Sequence, residues 1–177
     1  NGNDIVTFNS TSADVANGTK VASFAAANDK IALAGELAGF SYGADSKITT
    51  AVTDTPSAIG DPLANYKTLI DNTIYSLTDA GATADTAANI AKYFTERTDG
   101  KATTTTANQG VLYLAADTDV VLAIKGADAT TTNLWLVQND ATATVAADEI
   151  TLIGVVGGLG VDAVAATVFE SQASAGA

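Results

Sequence analysis

The fold of this chain is decided by three apolar runs, which read Val120-Val-Leu-Ala-Ile124, Asn133-Leu-Trp-Leu-Val137 and Ile150-Thr-Leu-Ile-Gly-Val-Val156. Turns of Asp, Asn, Thr and Gly separate them, and the runs are of strand length. This spacing is typical of an antiparallel meander or sandwich. Further strands are predicted at Val111–Leu114 and Ala141–Val145. We therefore predict a mainly β fold, an antiparallel meander or sandwich with an inserted two-helix segment.

The first part of the chain contains an echo of the last of these strands. Asp29-Lys-Ile-Ala-Leu33 and Asp148-Glu-Ile-Thr-Leu152 each place an acidic turn residue before a short strand, and a glycine follows both. Other short strands are predicted nearby, at Asp4–Phe8, Lys20–Phe24 and Ile48–Val52.

Apolar residues in the middle of the chain recur at three- and four-residue steps, the period of one helix face. They are Leu63, Tyr66, Leu69, Ile70, Ile74 and Leu77. Asp61 and Pro62 form an N-cap and first-turn pair, and Asp79-Ala-Gly81 supplies a stop. Residues 84–94 repeat the pattern, so the sequence predicts two short helices.

The change of period divides the chain into three segments, which we expect to form one compact unit. Residues 1–54 are a small β-element, residues 55–100 a helical hairpin insertion, and residues 101–177 a C-terminal β-domain. The only tryptophan, Trp135, lies in this last segment and is predicted to anchor the core or an interface.

Missing residue types exclude most catalytic chemistry. The chain has no histidine and no cysteine, which removes imidazole bases, histidine-held zinc and thiolate nucleophiles. Carboxylate chemistry stays open, but no spacing singles out a pair of acids, so we predict that the chain is not an enzyme. A carboxylate-dependent hydrolase is the catalytic alternative. The net charge of −12 repels phosphate backbones, so nucleic acid is not an expected partner.

The longest apolar stretch, residues 150–169, has the length of a membrane span. It contains four glycines and Asp162, which suit a strand, a turn and a strand better than a helix facing lipid. No membrane span is therefore predicted.

Five aspartates are candidate calcium ligands, because Ca²⁺ prefers oxygen ligands and turn aspartates supply them. Two precede the echo strands, and one lies in Gly157-Gly-Leu-Gly-Val-Asp-Ala-Val-Ala165, which fits the nonapeptide of calcium-binding β-rolls. Solvated turn aspartates are the alternative for all five, and a tight glycine turn is the alternative for the nonapeptide. The candidates are Asp29, Asp148, Asp162, Asp117 and Asp119.

Short phrases of the chain resemble the C-terminal region of type I-secreted bacterial surface proteins of the S-layer and RTX kind. Val21-Ala-Ser-Phe24 followed by Asn28-Asp-Lys-Ile-Ala-Leu33 matches a recurring phrase of those proteins, and residues 134–140, 147–154 and 168–169 are similar to their terminal domain. The resemblance implies export by an uncleaved C-terminal secretion signal, calcium-dependent folding outside the cell, and assembly into a surface layer or fibre. The chain departs from the family because only one nonapeptide is present.

We therefore expect an extracellular, cell-surface structural protein that self-assembles into a surface layer or filament, with Ca²⁺ as a candidate cofactor. Its expected partners are copies of itself, with a cell-surface polysaccharide as a further candidate. The alternative is a non-catalytic C-terminal export module of a larger secreted adhesin or enzyme.

Overall fold

A computed structural model describes residues 2–12, 18–48, 67–78, 86–91, 93–94, 112–140 and 145–170. Within these ranges the chain is mainly β, as predicted, and contains one short helix, α1 (Ala87–Ala91). The strands are β1 (Ile5–Phe8), β2 (Thr19–Val21), β3 (Lys30–Leu33), β4 (Ser41–Ile48), β5 (Lys67–Thr68), β6 (Thr73–Leu77), β7 (Leu112–Tyr113), β8 (Thr118–Lys125), β9 (Thr131–Asn139) and β10 (Ile150–Gly157).

Six strands form the main sheet, in the order β2-β10-β9-β8-β6-β4. The predicted antiparallel meander is its centre, where β8, β9 and β10 pair antiparallel. The other pairings, β2 with β10, β6 with β8 and β4 with β6, are parallel. Every strand of this sheet except β9 therefore runs in one direction. Parallel neighbours need a crossover connection, and α1 lies in the connection between β6 and β8.

The central strands are buried on both faces of the sheet, which explains why they are continuous apolar runs and do not alternate with polar residues. One face packs against α1, β7 and Leu69, the residue after β5, around the fully buried Trp135, which confirms the predicted core role of this residue. The other face packs against β1, β3 and the turns that follow β10. The main sheet is thus the middle layer of three.

The small parallel sheet of β1 and β3 is fixed to the main sheet through Phe8. This side chain is 2% exposed, and its ring lies directly over Gly154 of β10, where a Cβ atom would overlap it. The echo strands therefore differ in placement, because β3 belongs to the small sheet and β10 lies inside the main sheet. β5 and β7 form a further two-stranded parallel sheet.

The first predicted helix is wrong in the part that the structure describes, because Lys67–Thr68 and Thr73–Leu77 are strands. The apolar steps from Leu69 to Leu77 come from a strand buried on both faces, which has no polar alternation to reveal its period. Ile70, which the helix would bury, is 67% exposed. Asn72 has a φ of 55°, so the chain turns here and cannot continue as a helix. Residues 61–66 lie outside the described ranges.

The second predicted helix is confirmed in its centre as α1, whose Ile90 is buried against the main sheet. Among the described residues no helix is long and apolar enough to cross a membrane. The apolar stretch from Ile150 is instead β10, followed by 3₁₀ turns at Val161–Ala163 and Ala166–Val168. Most of the predicted strand at residues 141–145, the end of the strand predicted to Val52, and the last seven residues lie outside the described ranges.

Candidate functional site

A pocket of about 360 Å³ opens at the end of the main sheet where β6 and β8 begin and β9 ends. Parallel strands begin at the same edge of a sheet, so residues distant in sequence meet there. Four carboxylates and three amides line the pocket and make it acidic. They are Asp71, Asn72, Asp117, Asp119, Gln138, Asn139 and Asp140.

Asp71 joins the start of β6 to the start of β8. Its Oδ1 accepts a hydrogen bond from the main-chain N–H of Asp119 at 2.9 Å, and its Oδ2 accepts one from the side-chain amide of Asn72 at 2.8 Å. The main-chain N–H of Asn72 in turn donates to the Asp119 carbonyl at 2.8 Å. The Asp71 carboxylate therefore holds two strand starts in register, and both of its oxygens are already engaged.

The mouth of the pocket is shaped by two non-glycine residues in the left-handed region, Asn72 (φ 55°) and Asp117 (φ 57°). Asn and Asp adopt this conformation more readily than other residues with a side chain. Across the pocket, the Gln138 amide donates to Asp119 Oδ2 at 3.3 Å. These contacts give the pocket a fixed polar rim.

Asn139 forms the buried part of the pocket wall and is 2% exposed. Its side-chain amide donates to the carbonyls of Leu114 and Ala115, at 2.8 and 2.9 Å, and so ties β9 to the loop before β8. Its Oδ1 accepts no hydrogen bond. A buried acceptor without a donor destabilises the fold. The two hydrogen bonds that the amide donates oppose this cost and hold the side chain in place.

The pocket brings together two of the five predicted calcium ligands, Asp117 and Asp119. In the described part of the chain, no group of three or more His, Cys, Asp or Glu side chains is arranged to hold a metal ion. The pocket as described is an acidic surface with fixed hydrogen bonds.

The other three candidates lie apart from this pocket. Asp29 is buried, and its carboxylate accepts hydrogen bonds from the main-chain N–H groups of Ala25 at 2.7 Å and Asp4 at 3.3 Å. Asp148 and Asp162 are exposed in separate 3₁₀ turns. Asp29 thus fastens the turn before β3, while Asp148 and Asp162 face solvent.

Sequence reasoning did not select Asp71, Gln138 or Asp140 as site residues. Asp71-Asn72 is a turn dipeptide, but it fell inside the segment predicted as a helix. In the structure this dipeptide lies beside the Asp117–Asp119 turn. Their convergence depends on the parallel pairing of β6 and β8, which no local pattern encodes.

The main sheet ends in β2 and β4, and both outer strands carry features that discourage pairing with another chain. β2 has three residues, with Lys20 exposed at its centre. The pairing of β4 loses its register between Tyr42 and Lys47, and the charged Asp45 and Lys47 are exposed. Short length, charge and irregular pairing are the usual protections of an edge strand.

The small sheet ends in β1, which is also short but lacks the charge of β2 and β4 and the irregular pairing of β4. Its four residues, Ile5-Val-Thr-Phe8, are uncharged, include no proline, and pair with β3 without a register shift. Ile5 is 58% exposed, and Thr7 is exposed beside it. Of the described strands, only β3 pairs with β1. We call this side of β1 the open edge.

Comparisons with known proteins add no relative, since no family model, no curated protein and no solved structure matches this chain.

Proposed function

We propose that this chain is a non-catalytic extracellular structural subunit that self-assembles through its strand edges into a surface layer or fibre. The observation that carries the proposal is the open edge of β1 beside a main sheet whose two faces are both covered. An outer strand with free main-chain groups is a template for another strand. The covered faces leave the edges and outer layers as the surfaces for association.

Composition supports the same function. Charged residues make up only 16% of the chain, against about a quarter in an ordinary soluble domain. A surface with few charges and many small side chains allows copies to approach closely. The resemblance of short phrases to exported surface proteins supports a location outside the cell.

The net charge of −12 opposes assembly, because each added copy brings twelve further negative charges close to the others. Divalent cations screen and bridge carboxylates, and Ca²⁺ accepts the oxygen ligands that the acidic pocket presents. We therefore propose that calcium promotes the assembly, with Asp117 and Asp119 as the first carboxylates to test.

Negative-stain electron microscopy of the purified chain tests the function. Samples are compared in millimolar CaCl₂, in a chelator, and in NaCl of matched ionic strength. Sheets or fibres in calcium that dissolve on chelation support a calcium-dependent assembling subunit. Assemblies that survive chelation support the structural role and contradict the role of calcium. Monomers under all three conditions contradict self-assembly and favour the export module.

An Asp117→Asn, Asp119→Asn double variant separates specific binding from screening. These amides keep the size of the carboxylates and remove two charges. If the pocket binds calcium, the variant needs more calcium to assemble. If calcium acts by screening alone, the variant needs less, because its net charge is smaller.

A further inference from the structure

We propose that β1 pairs antiparallel with β1 of a second copy, about a twofold axis that passes beside Val6. The inference rests on the proposed function and deepens it, because it names the strand, the partner and the register of one contact. Four main-chain hydrogen bonds join Ile5 of each copy to Thr7 of the other.

The direction of the main-chain groups follows from the pairing of β1 with β3. The N–H of Lys30 donates to the Asp4 carbonyl, and the N–H of Ala34 donates to the Phe8 carbonyl, each at 2.8 to 2.9 Å. Main-chain groups alternate in direction along a strand. The even-numbered residues of β1 therefore face β3, and the N–H and carbonyl groups of Ile5 and Thr7 point outward from the sheet.

The strand is held ready for a partner. The Phe8 side chain is buried against Gly154 of the main sheet, and all four residues of β1 are paired with β3. A strand that is already extended loses little conformational freedom when another strand is added. An unpaired outward N–H and carbonyl on each of two residues is thus presented in a fixed geometry.

The register follows from matching the outward residues. Antiparallel strands form their paired hydrogen bonds between residues that both point toward the partner. With Val6 opposite Val6 of the second copy, Ile5 lies opposite Thr7, so both outward residues of each copy are used. The exposed side chains of Ile5 and Thr7 then form two cross-strand β-branched pairs on the solvent face.

Local charge does not oppose a second copy in this register. Residues 5–8 carry no charge, so the paired strands add no repulsion of their own. The nearest acid is Asp4, which lies opposite Phe8 of the second copy. The two Asp4 residues are then about 13 Å apart along the strands, beyond the screening length of about 8 Å at physiological salt.

Sedimentation velocity over a series of protein concentrations tests the pairing. The variants are Ile5→Lys, which places two lysines diagonally across the contact, and Thr7→Pro, which removes one outward N–H per copy while sparing the bonds to β3. The matched control is Ile70→Lys, which changes an isoleucine that is 67% exposed and lies outside β1. Circular dichroism and thermal unfolding check that each variant folds.

The wild-type chain is expected to form a concentration-dependent dimer. Ile5→Lys and Thr7→Pro each lower the association constant by about tenfold or more, since each loses or opposes two contacts per dimer, and Ile70→Lys leaves it unchanged. A wild type that stays monomeric at every concentration overturns the pairing. So does an equal loss in Ile5→Lys and Ile70→Lys. If Thr7→Pro does not fold, Ile5→Lys and the cross-linking below decide.

Cysteine cross-linking tests the register, because the chain has no cysteine of its own. Single variants Ile5→Cys and Thr7→Cys are oxidised separately and as a mixture. Hydrogen-bonded antiparallel pairs have Cα atoms about 5.5 Å apart, within reach of a disulfide. The mixture is expected to cross-link about tenfold faster than either variant alone. Equal rates in all three samples overturn the register.

The experiments distinguish a failure of the β1 pairing from a failure of the proposed function. A dimer that Ile5→Lys abolishes, with no layers or fibres in the microscope, keeps the pairing and contradicts the function. Layers or fibres that form equally well from Ile5→Lys keep the function and overturn the pairing.

Discussion

The strands β1 and β4 each lie at the edge of a sheet, where main-chain N–H and carbonyl groups are unpaired. Their side chains differ in whether they oppose pairing with another strand. β4 interrupts its pairing between Tyr42 and Lys47 and exposes two charged residues there. β1 is regular, uncharged and β-branched in three of its four residues. Topology decides which strands are outermost, and side chains decide whether an outer strand is open to a partner.

The largest expected effect concerns how β1 is attached. Phe8→Ala empties a site that is 2% exposed between the small sheet and Gly154, so it should lower the free energy of unfolding by about 3–5 kcal/mol. Urea unfolding measures the change. Thr7→Ala, one residue away and exposed, is the control and should stay within about 0.5 kcal/mol. Equal losses would show that β1 is not attached through Phe8.

Hydrogen exchange compares the open edge with the centre of the main sheet. The outward amides of Ile5 and Thr7 have no described acceptor, while Val121 is fully buried in β8 between two paired strands. In dilute protein the β1 amides should exchange more than about 100-fold faster than Val121. At concentrations where copies associate, the two β1 amides should slow and Val121 should not change. Protection of both amides in dilute protein would contradict an open edge.

Removing the charges of β4 tests what protects that strand. Asp45→Thr with Lys47→Thr makes β4 resemble β1 in composition but keeps its irregular pairing. We expect the association constant to rise by a few-fold, because two charges no longer oppose pairing. Sedimentation velocity measures it, with Thr7→Pro added to block β1. No change would show that irregular pairing alone protects β4.

The smallest effect is expected away from both edges, in the turn between β8 and β9. Asp128 Oδ1 accepts hydrogen bonds from the N–H and hydroxyl of Thr130, both at 2.8 Å, and the Thr130 hydroxyl above all holds the pKa of Asp128 below its usual value. A lowered carboxyl pKa stabilises the fold above the unfolded pKa, and this contribution disappears as pH falls through the folded pKa.

Asp128→Ala should therefore destabilise the protein slightly at neutral pH and not at strongly acidic pH. Thermal unfolding of both proteins across this range measures the difference. The association constant should stay unchanged, because the turn is not part of the β1–β3 sheet. A difference that persists unchanged in acid would contradict the role of the Asp128 charge.

Much of the fold could be predicted locally. The runs at residues 120–124, 133–137 and 150–156 correspond to β8, β9 and β10, since apolar strands between Asp- and Gly-rich turns are recognisable from neighbouring residues. β1 and β3 were predicted for the same reason. The helix predicted through Ile74 failed because a strand covered on both faces has no alternation, and burial on both faces is a property of the assembled sheet.

The candidate site was predictable only in part. Asp117 and Asp119 lie in the acidic pocket, but Asp71 reaches them only because β6 and β8 pair in parallel. Asp29 and Asp148 look alike in sequence, yet the first is buried and hydrogen-bonded and the second is exposed. The two aspartates precede similar strands, but they differ in burial because different parts of the chain pack around them.

The sequence by itself determined the β-rich character, the lack of histidine and cysteine chemistry, the acidic charge and the apolar runs of the central strands, because each depends on composition or on adjacent residues. The tertiary structure alone decided the strand order, the parallel pairings, the meeting of acids in one pocket and the position of β1 as the open edge. These depend on main-chain hydrogen bonds between distant residues. A main-chain group is the same in every residue, so its partner is chosen by the packing of the whole chain.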